Sequence, residues 1–400
     1  MQPLRHQKSI GDLCDFSSGH GFNARDWTKQ GWPIIRIQNL NGSREFNYYD
    51  GEAEADWFVE PGDLLFAWAG TRGVSFGPAT WSGPKGVLNQ HIYKIHPKDG
   101  VDPRWLHDAL QVATARIERK AHGFKSTLLH VHKKDITNQR VYAPPLEEQE
   151  KIADTLEVWD RAISLTERLI VAKLTLRKGL MQQLLTGKRR FPGFSEPWSM
   201  RKIGDCLTES RVSGGHGASA NKITVRIRGQ GVTERRELRR GSESTRYYVR
   251  SAGQFIYGKL DFLNGGFGII PEHLDGFEST ADLPCFDITE GLNGEFLLEY
   301  VLREAFYRRN AAFAEGGRKG RRVHADEFLF IKIRIPSIEE QTAIVEFART
   351  MAREITLLRA QLAALKTQKR GLMQQLLTGR VRVCLPAVSQ AALACPEEPA

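Results

Sequence analysis

Nine residues, Gly-Leu-Met-Gln-Gln-Leu-Leu-Thr-Gly, stand at Gly179–Gly187 and again, 192 positions later, at Gly371–Gly379. The same offset superposes Pro144 on Pro336, Glu147-Glu148-Gln149 on Glu339-Glu340-Gln341, and Ile152 on Ile344. Two segments of about 45 residues therefore align without a gap, each after a more divergent stretch of about 140, and such a period sets the architecture before any local reading. The repeated part is the scaffold. Whatever the chain discriminates is expected to lie in the parts that differ.

Each repeated segment reads as one long helix. Glu340 stands three residues after Ser337, the spacing of an N-cap with a capping box. Pro144-Pro145 precede the first copy, and Glu147-Glu148 fall in its first turn, where acids favour the helix dipole. Both copies stop at Thr-Gly followed by Lys188 or Arg380, a glycine stop with a base at the negative end. An apolar seam of alternating spacings runs through Ile344, Ala348, Met351, Ile355, Leu358, Leu362, Leu365, Leu372 and Leu376, broken at Lys369. The first copy gives Ile152, Leu156, Trp159, Ile163, Ile170, Leu180 and Leu184, with Thr166, Lys173 and Arg177 interrupting. A period of 3.5 residues calls for a partner helix. Burial in a larger core or a homodimer would also supply one. Equal lengths and matched ends favour the two copies pairing with each other, antiparallel, as a rod about 60 Å long.

Residues 1–143 read as a mixed α/β domain, with short apolar runs at Ile34–Ile37 and Asp63–Trp68 between Gly, Asn and Pro punctuation. A helix is expected over Trp105–Ala121. Residues 199–335 repeat the plan loosely: Ile10-Gly11-Asp12 matches Ile203-Gly204-Asp205, Gly62–Phe66 resembles Gly253–Tyr257, and Val131-His132 matches Val323-His324. The expected class is α+β: two α/β recognition domains separated by two long helices packed as an antiparallel coiled coil. Its divisions are a first domain (1–143), a spacer helix (144–188), a linker with the second domain (189–335), a second spacer helix (336–380) and a disordered tail (381–400).

The 400 residues carry a net charge of +10 and a pI near 9.4, which points to a polyanionic partner. Five scattered cysteines without a Cys-x-x-Cys pair indicate neither a disulfide framework nor a zinc ribbon. No apolar run approaches a membrane span and no signal-peptide core is evident, so a cytoplasmic protein is expected. Catalytic parts are missing. Ala143-Pro144-Pro145-Leu146 lacks both flanking residues of an amino-methyltransferase loop, no nucleotide-binding glycine motif fits, and His130-x-His132 has no third ligand nearby.

These residues resemble a known family, the specificity subunits of type I restriction-modification systems. The resemblance rests on Pro-Pro-Leu-Glu-Glu-Gln-Glu-Lys-Ile opening the first helix, on the repeated nonapeptide, and on Arg189-Arg190-Phe191-Pro192-Gly193-Phe194 leading to Trp198 and Ile203-Gly204-Asp205. It covers essentially the whole chain, although Val381–Ala400 carries no matching motif. The resemblance implies a subunit without cofactor or chemistry of its own. Two methyltransferase subunits would dock on its helices and modify adenine N6 with S-adenosylmethionine; two restriction/translocase subunits would join them and use ATP. Each domain would read one half of an interrupted site on double-stranded DNA, and the helix pair would set the unread gap. Two alternatives stay open: a specificity subunit of a related type II bipartite-site system, and a coiled-coil scaffold whose domains bind proteins.

Affinity for DNA is expected from Lys and Arg on phosphates, and specificity from side chains at base edges. Arg318, Lys319, Arg321 and Arg322 precede Val323-His324 as Lys125 precedes Val131-His132, which suggests matching DNA-facing loops or, more blandly, solvated charge. Arg72 and Lys259 follow equivalent strands. Gln38, Asn39, Asn89 and Gln90 could read adenine or simply cap turns. Arg36, Lys85, Arg226 and Arg228 complete the candidate DNA-binding set. Partner subunits are expected on Glu148, Gln149, Leu180, Gln183 and Leu184, and on Glu340, Gln341, Leu372, Gln375 and Leu376.

Overall fold

A computed structural model describes residues 6–71, 73–120, 128–217, 220–235, 243–316 and 321–383. They divide into two compact units, Met1–Glu167 with Ala360–Ala400, and Arg168–Arg359. Each unit holds one globular domain, the start of one long helix and the end of the other, so the compact bodies cut across the linear division of the sequence.

In the first unit, strand Gln7–Ser9 pairs antiparallel with Arg140–Tyr142, and the domain opens and closes at one place. Between them, Cys14–Ser18, Ile92–Pro97, Leu64–Ala67 and Gly77–Thr80 form an antiparallel sheet in that spatial order. Helix Pro103–Lys120 buries Trp105, Leu106, Leu110 and Ile117 with Ile10 and Phe66. Proline at the first helical position explains its start two residues before the expected one. A second sheet joins Asn47–Tyr49, Trp32–Ile35, Gly86–Leu88 and Phe58–Val59.

The second unit repeats this frame. Strand Ser199–Lys202 pairs with Lys332–Ile335, and Leu207–Ser210, Cys285–Ile288, Phe255–Tyr257 and Phe267–Ile269 form the matching sheet. Helices Gly294–Val301 and Glu304–Arg309 follow it. Its core is aromatic: Phe255 stacks on Phe328 at 5.7 Å and Tyr257 on Phe286 at 6.1 Å between ring centroids.

The short sequence anchors shared by the two domains are turn and cap residues. Asp12 accepts from the Ser9 amide (2.9 Å) as Asp205 accepts from the Lys202 amide (2.9 Å). His132 and His324 begin equivalent helices, their amides donating to Asp135 (3.2 Å) and Glu327 (2.7 Å). Such reciprocal caps satisfy backbone donors that a helix start leaves orphaned. They recur because the backbone needs them, whatever surface each domain carries.

The long helices are Leu146–Leu184 and Ile338–Leu376, 39 residues each, or about 58 Å at 1.5 Å per residue. Their seam is buried at Ile152, Leu156, Ile170, Leu184, Ile344, Ala348, Met351, Ile355 and Leu376, and half-buried at the other expected residues. Its interruptions are filled. Lys369 donates to Asp160 (2.6 Å) in the first unit; Lys173 pairs with Glu354 (2.6 Å) and Arg177 with Glu299 (2.5 Å) in the second. The Thr166 hydroxyl donates to the Ala162 carbonyl at 2.8 Å. Within the first unit Lys366 reaches Glu167 and Lys369 reaches Asp160, so the two helix segments run in opposite directions there.

Two details differ from the sequence reading. The strand expected through Ile37 ends at Ile35, and Ile37–Leu40 forms a helical turn, because Asn39 accepts from the Arg36 amide at 2.9 Å. Of the tail expected to be disordered, Val381 and Arg382 bond to helix residues and Val383 packs on the first core; positions 384–400 lie outside the described residues. Among the described residues no helix is long and apolar enough to cross a membrane. Cys14, Cys206 and Cys285 are buried and free, and burial pushes the Cys14 and Cys285 thiols up to about 12.

Candidate nucleic-acid interface

The repeated Glu-Gln pairs hold each helix start to its own domain. Gln149 accepts from the Asp102 amide (3.0 Å) and donates to the carbonyls of Gly100 (3.3 Å) and Pro144 (2.8 Å). Gln341 makes the same three bonds, from the Asn293 amide (2.8 Å) and to Gly291 and Pro336 (3.0 Å each). Glu148 accepts from Arg382 (2.6 Å) and the Tyr142 hydroxyl (3.3 Å); Glu340 accepts from Arg190 (2.7 Å) and the Trp198 indole (3.1 Å). All four side chains are at most 3% exposed. Buried polar groups of this kind must be paired, and these are paired internally.

This corrects two expectations. Glu148, Gln149, Glu340 and Gln341 are not a surface offered to partner subunits, because their hydrogen-bonding capacity is spent inside the chain. Leu184 and Leu376 are likewise buried in the cores, while Leu180 and Leu372 are half-buried. Gln183 and Gln375 alone of that set are exposed. The capping box at Ser337 is half made: its hydroxyl accepts from the Glu340 amide at 3.4 Å, but the Glu340 carboxylate turns to Arg190 and Trp198. Arg190, read in the sequence only as part of the linker, and Arg382, not singled out there, lie 192 positions apart. Extending the repeat by a few residues would have found them.

In the first domain the candidate surface gathers around Trp68. Its indole donates to the Gln90 carbonyl (3.0 Å) and its ring lies 5.2 Å from His91, 6.0 Å from Tyr93 and 6.1 Å from His130. Burial, then the charges of His130 and Arg36, hold the His91 imidazolium below its usual range. Strand Ala69–Thr71 pairs with Leu128–His130. Arg72 and Lys125 lie outside the described residues.

The structure separates the other candidates. Gln38 and Gln90 are exposed. Asn39 is 5% exposed and spends its amide on the Ser43 (3.2 Å) and Glu45 (2.9 Å) carbonyls. It is a turn-former, so its reading as a base contact is withdrawn. Asn89 is also buried, its amide nitrogen of the main chain donating to the Ile35 carbonyl. Arg36 bonds Asn47 (3.1 Å) and covers Trp27. Lys85 pairs with Glu60 (2.7 Å) over the Phe58 ring.

In the second domain Val323 donates to the Lys259 carbonyl at 3.2 Å, which brings Lys259 beside Arg321 and Arg322. Val131 and Trp68 make the equivalent bond at 3.1 Å. Arg318 and Lys319 lie outside the described residues. Arg226 and Arg228 sit on the connection between strands Ile223–Val225 and Val232–Glu234, both exposed. Among the described residues no three of His, Cys, Asp and Glu converge as a metal site.

Matched frames and matched pins under two dissimilar loop surfaces, one aromatic and one rich in arginine, define a protein of two like domains in tandem. Comparison with known proteins shows what the chain is similar to. The profile of the type I restriction modification DNA specificity domain matches residues 6–174. The MjaVIII type I specificity subunit of Methanocaldococcus jannaschii is 23% identical over 351 residues, spanning 81% of this chain and 80% of that protein. The EcoBI specificity subunit of Escherichia coli is 26% identical over 152 residues, 37% of this chain and 31% of its own. Among solved structures, a chain described under complex assembly and conformational transition of the type I R-M system superposes with a TM-score of 0.61 at 16% identity, over 94% of this chain and 98% of that one. The S subunit from M. genitalium gives 0.51 at 14% identity, over 93% and 95%. The first part of the chain thus matches a type I restriction modification DNA specificity domain, and most of its length is similar to type I specificity subunits.

Proposed function

We propose that the two domains each read one half of an interrupted site on double-stranded DNA, and that the paired helices set the unread gap as one antiparallel coiled coil. The reading rests on one observation above all: the same Gln149 and Gln341 pins and the same frame carry two unlike surfaces. A duplicated scaffold that varies only where it presents side chains is suited to naming two different half-sites. The net charge of +10 supports a polyanionic target. The chain itself is non-catalytic and cytoplasmic. It positions two methyltransferase subunits for adenine N6 transfer, and two restriction subunits join the full complex. Exposed Gln183 and Gln375, with half-buried Leu180 and Leu372, are the parts of the repeated nonapeptide open to such partners.

The direct test is a salt titration of duplex binding by the chain co-expressed with its methyltransferase subunit. Neutralising several phosphates makes log K fall steeply with log salt, at about 0.9 per phosphate contact. A slope near zero, with recovery of unrelated protein partners, would favour the scaffold reading.

A further inference from the structure

We infer that Arg228 reads guanine in the major groove within the half-site of the second domain, an assignment that rests on the DNA-reading function proposed above. Arg228 is the one non-glycine among the described residues with a positive φ, +57°. That conformation brings the Cβ of an L-residue against its own backbone and costs about 1 kcal/mol, which glycine at the same place would avoid. An arginine is held there by its surroundings. Its amide donates to the Asn264 carbonyl at 2.9 Å, and the next amide, of Gly229, donates to the Gly265 carbonyl at 3.0 Å. Behind it the Arg226 amide donates to Gly231 (2.9 Å), and the Arg226 guanidinium to the Thr233 hydroxyl (3.2 Å). The tip is therefore clamped at both ends while the Arg228 side chain is exposed.

Its charge is also unspent. Arg228 lines a hollow of about 390 Å³ with Asn264, Glu304, Tyr307 and Arg308. The carboxylate there, Glu304, pairs with Arg308, and among the described residues no acid pairs with Arg228. A phosphate contact needs neither a clamped backbone nor a planar donor, since a flexible lysine serves as well. Bidentate bonding to guanine O6 and N7 gains from both, because two parallel N–H donors then meet two acceptors fixed in one plane. A preorganised tip loses little freedom on binding, which favours the right base over wrong ones.

The test maps adenine methylation in cells expressing the chain with its methyltransferase subunit, comparing wild type with Arg228→Lys, Arg228→Ala and Arg228→Gly. The glycine variant relieves the backbone cost, and an unchanged or raised melting temperature separates loss of reading from loss of fold. The expected result is relaxation of one G·C position in one half-motif, with about 5- to 150-fold lower discrimination. The other half-motif and the salt slope should be unchanged. Uniformly weaker binding with the motif intact and the slope reduced by about one unit would identify a phosphate contact and overturn the assignment. Unchanged motif and affinity would make it a solvated loop. If the wild type itself yields no split motif, the DNA-reading function fails first, and the assignment with it.

Discussion

At the scale of single residues, the most consequential side chains are those that never meet a ligand. Gln341 is wholly buried and makes three bonds to backbone groups, of which the one to the Pro336 carbonyl is itself buried. Gln341→Ala should lower the unfolding free energy by about 2–3 kcal/mol, since buried polar groups left unpaired carry their desolvation cost. Gln149→Ala should do the same in the first unit, and the two losses should add, having no shared partners. Urea unfolding of both single variants and the double checks this, and losses under about 0.5 kcal/mol would mean that water replaces the side chain. The sequence displayed both glutamines through the repeat but not their direction. Spacing shows that a residue recurs, whereas only coordinates show whether it faces outward or into a loop at Gly100 or Gly291.

The buried thiols give a pH dependence with a definite sign. Cys14 and Cys285 have an ordinary value of 9.0 that burial raises to about 12 in the folded chain. Above pH 9 the unfolded chain releases these protons while the folded one keeps them. Their contribution to stability is therefore intact below 9 and lost as pH rises towards 12. Denaturation midpoints measured from pH 8 to 10 should fall, and less steeply in a Cys14→Ala, Cys285→Ala double variant. Equal slopes in the two proteins would show that other groups govern the alkaline limb.

At the scale of elements, the long helices were legible almost to the residue and the strands much less so. A 39-residue helix repeats its apolar spacing many times, so one polar interruption does not obscure the pattern. Strands of three or four residues, such as Phe255–Tyr257, offer no such redundancy, and the turn at Ile37–Leu40 depends on a single side-chain bond from Asn39. The seam's basic interruptions read as breaks in sequence because their acids lie on other elements. Lys369 is only 12% exposed and meets Asp160, 209 positions away. Lys369→Leu should stabilise the helix pair by about 1 kcal/mol, since an apolar residue avoids the desolvation of a half-buried charge while Asp160 stays hydrated. Urea midpoints test this, and a loss of stability would show that the ion pair outweighs the packing it displaces.

At the scale of the whole molecule, the duplication explains both what was legible and what was not. Frame and helices follow from residues that both copies need. The side chains proposed to face DNA are those on which the two copies disagree, and one chain gives no second instance from which to infer their roles. Asn39 and Lys85 illustrate the difficulty: both are chemically suited to DNA, yet one builds a turn and the other pairs with Glu60. The central claim is that an invariant pair of helices separates two independent readers. Inserting one heptad at matched positions in both helices adds about 10 Å, or roughly three base pairs of duplex. Adenine methylation mapped genome-wide for this variant and the wild type, each with the methyltransferase subunit, should return the same two half-motifs with a gap about three base pairs longer. The same motifs with an unchanged gap would contradict the account.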